Sequence, residues 1–299
     1  MRGSPHSVIM TDRPTRRLKA KLAERRAMLV PGVPNALTAL IAADLGYEAV
    51  YVTGAGVTNM SLGMPDLGLI TLSELAEQVR AIAEMVELPI IVDADTGFGN
   101  AVNVHRTVKV LERAGASAIQ LEDQVFPKKC GHFAGKEVVP LAEMLPKIHA
   151  ALDARTDPDL QIIARTDARA VVGLDQAIER AAAFIEAGAD VTFVEAPETV
   201  EEMRAITSRL SAVPQLANLV VGGKTPVLAQ PVLREMGFAV ALYANVALQS
   251  AVKAMQGVLS ALLRDGSLDA VRDQVASFAE RQRLVQKPRF DALEQKYRG

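Results

Sequence analysis

The sequence predicts an α/β protein with one (β/α)8 TIM barrel, and three observations support this prediction. Eight short apolar runs rich in β-branched residues recur along the chain, and amphipathic segments separate them. The runs are continuously apolar rather than alternating, as in a parallel sheet that helices cover. No change in composition or linker marks a second domain. A doubly wound sheet is the competing architecture, but eight regular units favour closure into a barrel.

The predicted strands are bounded as follows: 27–33, 49–56, 89–97, 118–123, 161–167, 191–196, 215–220 and 239–245. Residues 72–86 and 174–188 between them have apolar side chains at helical spacing. Residues 267–299 also have a helical pattern and exceed what a barrel needs, so extra C-terminal helices are predicted to pack on a neighbour. Residues 1–14, which begin with a leader-like MRGS, are predicted to be a tail, and residues 15–299 one domain.

Composition narrows the class of protein. The formal net charge is -2 with interspersed signs, so neither nucleic acid nor an anionic membrane is an expected partner. Cys130 is the only cysteine, which excludes an intramolecular disulfide and fits a reducing compartment. No apolar run approaches the length of a membrane span, so we expect a cytoplasmic protein.

Polar side chains end nearly every predicted strand, where a barrel carries its catalytic groups. Asp93 and Asp95 alternate along one strand and leave the same face, and Glu122 closes the next strand. Three converging carboxylates repel one another unless a cation is present, and all-oxygen ligands suit Mg²⁺ or Mn²⁺. The alternative is that these acids cap the following helices.

The segment FPKKCGHFAGKE at 126–137 lies in the longest predicted loop after a strand. Lys128, Lys129 and His132 surround Cys130, and such cations lower a thiol pKa or serve as proton partners. The loop is predicted to act as a lid, with a proton-donating thiol, over a cation-bound 2-oxo or 2-hydroxy acid. Arg165 is expected to pair with a substrate carboxylate. An exposed loop with an incidental cysteine is the alternative. No Gly-rich phosphate motif indicates a nucleotide.

These motifs resemble the isocitrate lyase/phosphoenolpyruvate mutase superfamily, and the loop resembles its lyase branch. The matching segments are KKCGH at 128–132, YVTGAGV at 51–57, SLGMPDLG at 61–68, VDADTGFGN at 92–100, LEDQ at 121–124, IARTDA at 163–168, EA at 195–196 and AN at 217–218. The resemblance runs from about residue 18 through nearly the whole chain. It implies a barrel whose eighth helix is exchanged between the subunits of a homotetramer.

The resemblance also implies roles for individual residues. Mg²⁺ is held by Asp93, Asp95 and Glu122, with Asp66 in support. Substrate is bound by Thr53, Gly54, Ala55, Arg165, Glu195 and Asn218. The reaction is carried by Tyr51, which helps to deprotonate the substrate hydroxyl, by Cys130, which protonates the departing carbanion, and by Lys128 and His132, which order the loop. Thr53 and Ala55 depart mildly from the Ser-Gly-Gly usual in the family. Tyr51 has an alternative reading as a strand residue packed under the loop.

The segment after Asn218 indicates the substrate class. Val220 and Val221 stand where methylisocitrate-cleaving members usually have a Thr-Glu pair, and a buried third carboxylate there would lack a partner. Tyr243 is followed by Ala-Asn rather than the Pro common in those members. We therefore expect a dicarboxylate substrate like 2,3-dimethylmalate, cleaved to pyruvate and a carboxylic acid. Cleavage of 2-methylisocitrate comes second. Oxaloacetate hydrolysis or decarboxylation and a non-catalytic barrel that binds keto acids are further alternatives, whereas the loop disfavours phosphonate chemistry.

Overall fold

Eight parallel strands form the centre of the computed structural model, which describes residues 13–129, 131 and 135–298. The strands are β1 Met28–Pro31, β2 Val50–Val52, β3 Ile90–Asp93, β4 Ala118–Glu122, β5 Gln161–Thr166, β6 Val191–Val194, β7 Leu216–Asn218 and β8 Val240–Tyr243. They pair in the orders β2-β3-β4-β5-β6 and β1-β8-β7. Bridges between Gly32 and Tyr51 and between Thr192 and Gln215 join the two groups into a ring. The predicted barrel is confirmed.

Helices follow the strands around the ring. They are α1 Pro14–Ala23, α2 Ala36–Asp44, α3 Gly54–Val57, α4 Leu72–Ala83, α5 Ala101–Ala114, α6 Leu141–Ala154, α7 Arg169–Val172, α8 Leu174–Glu186, α9 Val200–Arg209, α10 Gln230–Glu235, α11 Val246–Asp265, α12 Phe278–Leu284 and α13 Lys287–Tyr297. A π-helical turn continues α3 at Thr58–Leu62, and a 3-10 turn lies at Asp269–Gln274. The helices predicted at 72–86 and 174–188 are present as α4 and α8, each slightly shorter. Thr71 and Glu74 form a capping box at the start of α4.

The strands are shorter than predicted at the mouth of the barrel. The run 49–56 leaves the sheet after Val52, because Thr53 caps a helix that begins at Gly54. The run 89–97 leaves it after Asp93, and Asp95 takes a left-handed φ of 48°. Both runs therefore turn across the mouth, which brings polar groups over the end of the sheet.

The opposite end of the barrel is closed by α1, which has no counterpart among the predicted elements. Leu18 and Leu22 are fully buried in α1. They belong to the same apolar cluster as residues at or next to the beginnings of strands: Ala49, Ala118, Val191, Leu216 and Ala239. Helix α1 thus plugs the amino-terminal end, and the mouth remains the accessible end.

Helix α11 lies largely outside this core, because Ala261 is its one buried residue. It is long and apolar enough to cross a membrane by length and composition, and 6% of its apolar stretch is buried, so it is not a core helix; one such helix is weak evidence for a membrane span. The expectation that no apolar run approaches this length was therefore too strict. The apolar residues Val252, Met255, Leu259 and Leu262 are exposed and recur at heptad spacing. Such a stripe is typical of a helix that packs against another protein surface.

Candidate active site

A small cavity of about 30 Å³ lies at the mouth of the barrel. Its lining contains eight of the predicted site residues: Tyr51, Thr53, Ala55, Asp66, Asp93, Lys128, Arg165 and Asn218. It also contains Lys129, which was named only as a cation beside Cys130. The other lining residues had been given no role in the site: Gly131, Phe193, Leu242, Ala244 and Asn245. A larger cavity of about 690 Å³ beside it contains none of the predicted residues, so the smaller cavity is the candidate site.

Asp93 and Asp95 converge on Gly54. The backbone N–H of Asp95 donates to Asp93 Oδ1 at 3.2 Å, and both side chains are buried. A Cβ added at Gly54 would lie 3.1 Å from Asp95 Oδ1 and 3.7 Å from Asp93 Oδ2. A side chain at this position would therefore intrude between the two carboxylates, which explains why glycine suits it.

Lys128 places a cation among these acids. Its ammonium lies 2.9 Å from Asp95 Oδ1 and also contacts Asp66 Oδ1. Burial opposes its charge, but four surrounding carboxylates outweigh burial and raise the pKa of Lys128 well above its usual range. Burial raises the pKa of Asp95 to about 7, although Lys128 acts in the opposite direction. Lys128 thus provides the positive charge that this cluster of acids needs.

Glu122 is fully buried at the end of β4. Its Oε2 lies 3.4 Å from Arg165 Nε, whereas its Oε1 is buried without a hydrogen-bond partner. Burial raises the pKa of Glu122 well above its usual range, and Arg165 only partly offsets this effect. One oxygen of Glu122 therefore has no hydrogen-bond partner among the described residues.

The carboxylate oxygens of this site are ligands of the type that a divalent cation such as Mg²⁺ prefers. Asp93 Oδ2, Asp95 and the unpartnered Glu122 Oε1 are hard oxygen donors, as Mg²⁺ and Mn²⁺ require. Among residues 13–129, 131 and 135–298, however, no three acid, histidine or cysteine side chains are already arranged as a metal site. The ammonium of Lys128 lies against Asp95, and Glu122 lies against Arg165. A dication would take over the charge-neutralising role that Lys128 has here.

Arg165 donates two hydrogen bonds to the carboxylate of Asp167. Its Nε donates to Asp167 Oδ2 at 2.9 Å and its Nη2 to Oδ1 at 3.1 Å, and the guanidinium lies over the ring of Phe193. Lys136 Nζ donates to the same Asp167 at 2.7 Å. Although burial opposes it, the two cations lower the pKa of Asp167 to about 2. The bidentate partner of Arg165 is therefore a residue of this chain, and the expected substrate carboxylate would have to be an additional ligand.

Asp167 and Lys136 were not among the predicted site residues, although both contact the predicted ones. The polar run Arg165-Thr166-Asp167 at the end of a strand was a signal for Asp167. Lys136 had no comparable signal, because its partner lies 31 positions away in the sequence.

Glu195 directly follows β6 and Asn218 ends β7, and both lie close to Arg165. Asn218 Nδ2 donates to Glu195 Oε1 at 3.4 Å, and Glu195 Oε2 lies 3.5 Å from Arg165 Nη1. The Oδ1 of Asn218 is buried and has no hydrogen-bond partner. The side of the cavity formed by β5, β6 and β7 therefore offers both a cation and an unsatisfied acceptor to a ligand.

Tyr51 acts as a hydrogen-bond donor in this structure. Its hydroxyl donates to Gln120 Oε1 at 2.8 Å, and the side chain is buried. Burial and the nearby Asp93 raise the pKa of Tyr51 well above its usual range. This environment favours a neutral phenol, which does not suit the expected role in deprotonating a substrate hydroxyl.

Cys130 and His132 lie outside the described residues. Gly131 is described, and a Cβ added there would lie 2.6 Å from Arg165 Nη2 and 2.7 Å from Glu195 Cδ. Lys136 Nζ donates to the carbonyl of Gly131. Gly131 thus packs directly on the polar residues at the mouth.

Val220 and Val221 are not among the residues that line the candidate cavity. Val221 is 63% exposed. The apolar part of the lining comes instead from Phe193, Leu242 and Ala244. These residues lie on β6 and at the end of β8, where the barrel wall faces inward.

The fold and this site together define a (β/α)8 barrel protein with an acid-lined binding site at the carboxyl ends of its strands. The family model described as phosphoenolpyruvate phosphomutase matches residues 18–263. The chain belongs to this family.

Two relatives align over most of their length. The chain is 44% identical to the 2,3-dimethylmalate lyase of Eubacterium barkeri over 281 residues, which cover 94% of this chain and 97% of the relative. It is 46% identical to the 2-methylisocitrate lyase of Aeropyrum pernix over 269 residues, which cover 90% of this chain and 86% of the relative. The predicted resemblance to the lyase branch is confirmed.

Solved structures agree with the fold. Oxaloacetate acetylhydrolase bound to the inhibitor 3,3-difluorooxalacetate superposes with a TM-score of 0.91, 31% identity and coverage of 96% of this chain and 99% of the other. A 2,3-dimethylmalate lyase, a member of the PEP mutase/isocitrate lyase superfamily, superposes with a TM-score of 0.90 and 33% identity. The superposition covers 96% of this chain and 96% of the other. Phosphonopyruvate hydrolase in complex with oxalate and Mg²⁺ superposes with a TM-score of 0.86 and 34% identity, over 95% of this chain and 99% of the other.

Proposed function

We propose that this protein is a Mg²⁺-dependent carbon–carbon lyase that cleaves a substituted 2-hydroxy dicarboxylate like 2,3-dimethylmalate to pyruvate and a carboxylic acid. The similarity to a 2,3-dimethylmalate lyase along nearly the full length of both chains supports this activity. The oxygen donors of Asp93, Asp95 and Glu122 support the metal, as does the Mg²⁺ complex of a related hydrolase. Mn²⁺ offers the same coordination chemistry.

The cations in the cavity lining indicate how many carboxylates the substrate has. Its cations, among the described residues, are Lys128, Lys129 and Arg165. Lys128 is paired with Asp95, Lys129 donates to the carbonyl of Gly135, and Arg165 is paired with Asp167. A third substrate carboxylate would therefore have to share cations that already have partners within this part of the chain, which makes its burial costly. Alkyl groups find partners on Phe193, Leu242 and Ala244.

In the proposed reaction, the substrate lies over Gly54, between the acids of β3 and Arg165. When bound, Mg²⁺ supplies a Lewis acid for the substrate carboxylate and the adjacent oxygen. The 2-hydroxyl gives its proton to water, the bond between C2 and C3 breaks, and C2 becomes the carbonyl carbon of pyruvate. The electron pair remains on C3, which takes a proton from Cys130 in the role predicted from the resemblance. Arg165 lies where it would hold the carboxylate next to C3.

A substrate panel tests this proposal. Purified protein with Mg²⁺ is incubated with 2,3-dimethylmalate, 2-methylisocitrate or oxaloacetate, and pyruvate is followed with lactate dehydrogenase. Oxalate and acetate are measured by chromatography. We expect kcat/KM for 2,3-dimethylmalate to exceed that for 2-methylisocitrate at least tenfold. The reverse order would favour the second candidate, which the 46% identity to a 2-methylisocitrate lyase supports. Oxalate release would favour oxaloacetate hydrolysis, which the similarity to an oxaloacetate acetylhydrolase supports.

A non-catalytic barrel belongs to a different class of function. Calorimetric titration with oxalate in the presence of Mg²⁺ separates binding from catalysis. Oxalate binding without turnover of any panel substrate would support a keto-acid-binding barrel. Neither binding nor turnover would contradict both readings.

We further propose a cytoplasmic homotetramer in which α11 packs on a neighbouring subunit, with neither a nucleic acid nor a membrane as partner. The exposed stripe on α11 supports this assembly, and so does a cavity of about 450 Å³ on the outer wall. That cavity is lined by Leu29, Leu45 and Gln230, among others, and lies between α2 and α10, where the helix after β8 would pack in a closed barrel.

Light scattering after size-exclusion chromatography tests the assembly. Leu259→Glu places a charge on the stripe and is expected to release smaller species. Ser260→Glu adds the same charge beside the stripe at an exposed position and serves as the control. A wild-type monomer would contradict the assembly.

A further inference from the structure

Gln120 is a fully buried polar residue in the middle of β4. Its partner in the sheet register is Asp93 on β3. The inward-facing residues near it are mostly apolar, for example Ile91 and Ile163. A buried amide is costly unless its hydrogen bonds are made, so the partners of Gln120 must compensate for its burial.

Both ends of the amide have partners. Tyr51 donates its hydroxyl hydrogen to Gln120 Oε1 at 2.8 Å, and Gln120 Nε2 donates to Asp93 Oδ1 at 3.1 Å. A carboxylate oxygen can only accept, so the NH₂ end of the amide must face Asp93. The carbonyl end then faces Tyr51, and the phenol must be the donor. The direction of both hydrogen bonds is therefore fixed by chemistry.

This chain of hydrogen bonds orients Asp93. Its Oδ1 accepts from Gln120 and from the backbone N–H of Asp95. Its Oδ2 faces the space above Gly54, 3.7 Å from where a Cβ would lie. The orientation leaves one defined oxygen for a ligand in the cavity.

We propose that Gln120 is a positioning residue that directs Asp93 Oδ2 toward a divalent cation, and that Tyr51 serves this site as the donor that orients Gln120. The inference rests on the metal in the proposed function. It gives Tyr51 a role other than base. Residues that orient a metal ligand typically change metal affinity by about 10–100-fold when they are replaced.

Mn²⁺ affinity, measured from the free-ion signal in electron paramagnetic resonance, tests this proposal without reference to turnover. Gln120→Met keeps the approximate shape of the side chain and removes both hydrogen bonds, and Tyr51→Phe removes the outer one only. We expect Gln120→Met to weaken Mn²⁺ binding at least tenfold and Tyr51→Phe to weaken it about threefold, since Gln120 can then rotate.

Gln215→Met is the matched control. Gln215 is also a buried glutamine of the barrel that accepts from a hydroxyl, that of Thr192 at 2.8 Å, but it lies just before β7, far from the mouth. Its replacement is expected to change stability in a similar way and to leave Mn²⁺ affinity within twofold.

The outcomes separate the two proposals. Wild-type protein that does not bind Mn²⁺ would overturn the metal in the proposed function and this inference with it. Wild-type protein that binds Mn²⁺, together with unchanged binding in Gln120→Met, would overturn the positioning role alone. If Gln120→Met does not fold, as judged by near-ultraviolet circular dichroism, Tyr51→Phe decides by the same criterion. Equal weakening in Gln215→Met would also overturn the positioning role.

Discussion

Lys128 Nζ lies 2.9 Å from Asp95 Oδ1, which makes an ion pair at the bottom of the mouth. This contact does not fully offset the burial of Asp95, whose pKa is raised to about 7. A buried polar cluster of this kind lowers the stability of the folded protein, and a bound ligand can offset this loss.

The first prediction concerns the stability of Asp95→Asn without metal. Because the pKa of Asp95 is higher in the folded protein than the ordinary 3.8, the folded state holds its proton more tightly. The contribution of Asp95 to the stability of the wild-type protein therefore falls as the pH rises from about 4 to 7. We expect Asp95→Asn to be more stable than wild type at pH 8 by on the order of 4 kcal/mol, with the difference vanishing near pH 4. Urea unfolding in EDTA measures it, and a difference independent of pH would contradict the argument.

The second prediction concerns metal affinity and pH. Asp95 must lose its proton to serve as a ligand, and the raised pKa of Glu122 acts in the same direction. Mn²⁺ affinity should rise at least about tenfold for each pH unit up to about pH 7 and less steeply above it. Titrations at pH 6, 7 and 8 followed by electron paramagnetic resonance check this, and equal affinities at the three pH values would disprove it.

The third prediction concerns Arg165→Lys. A lysine cannot reproduce the two parallel hydrogen bonds to Asp167, so both the buried acid and the substrate carboxylate lose their oriented partner. We expect kcat/KM to fall by about 100-fold or more. Arg169→Lys is the control, because Arg169 also donates two hydrogen bonds to a carboxylate, that of Glu202, but lies outside the cavity. Similar loss of activity in both variants would point to destabilisation instead.

The fourth prediction concerns Cys130→Ser. A serine hydroxyl is a far weaker acid than a thiol, so proton delivery to the carbanion should slow. Turnover is expected to fall by about 100-fold or more, whereas the affinity for oxalate stays within about threefold. Steady-state kinetics and calorimetry measure the two effects. Wild-type turnover in this variant would rule out the acid role.

Local sequence patterns were sufficient for the order of the strands and for most of the site. A continuous β-branched run predicts a buried parallel strand, and the polar residue that ends it must then lie at the mouth. This logic placed Asp93, Arg165 and Asn218 around one cavity. It did not place the ends of the strands, because Thr53 and Asp95 turn the chain out of the sheet through local hydrogen bonds and backbone conformation.

The sequence by itself determined the barrel, its acid-rich mouth and the membership of the family, since these depend on patterns that are local in the chain. The tertiary structure alone decided which polar groups meet. Tyr51 and Gln120 are 69 residues apart, and Lys136 and Asp167 are 31 apart. It also decided that Val221 faces solvent while Leu242 and Ala244 line the cavity. The physical reason is that side-chain partners depend on the register between neighbouring strands and on the closure of the ring, which no single segment encodes.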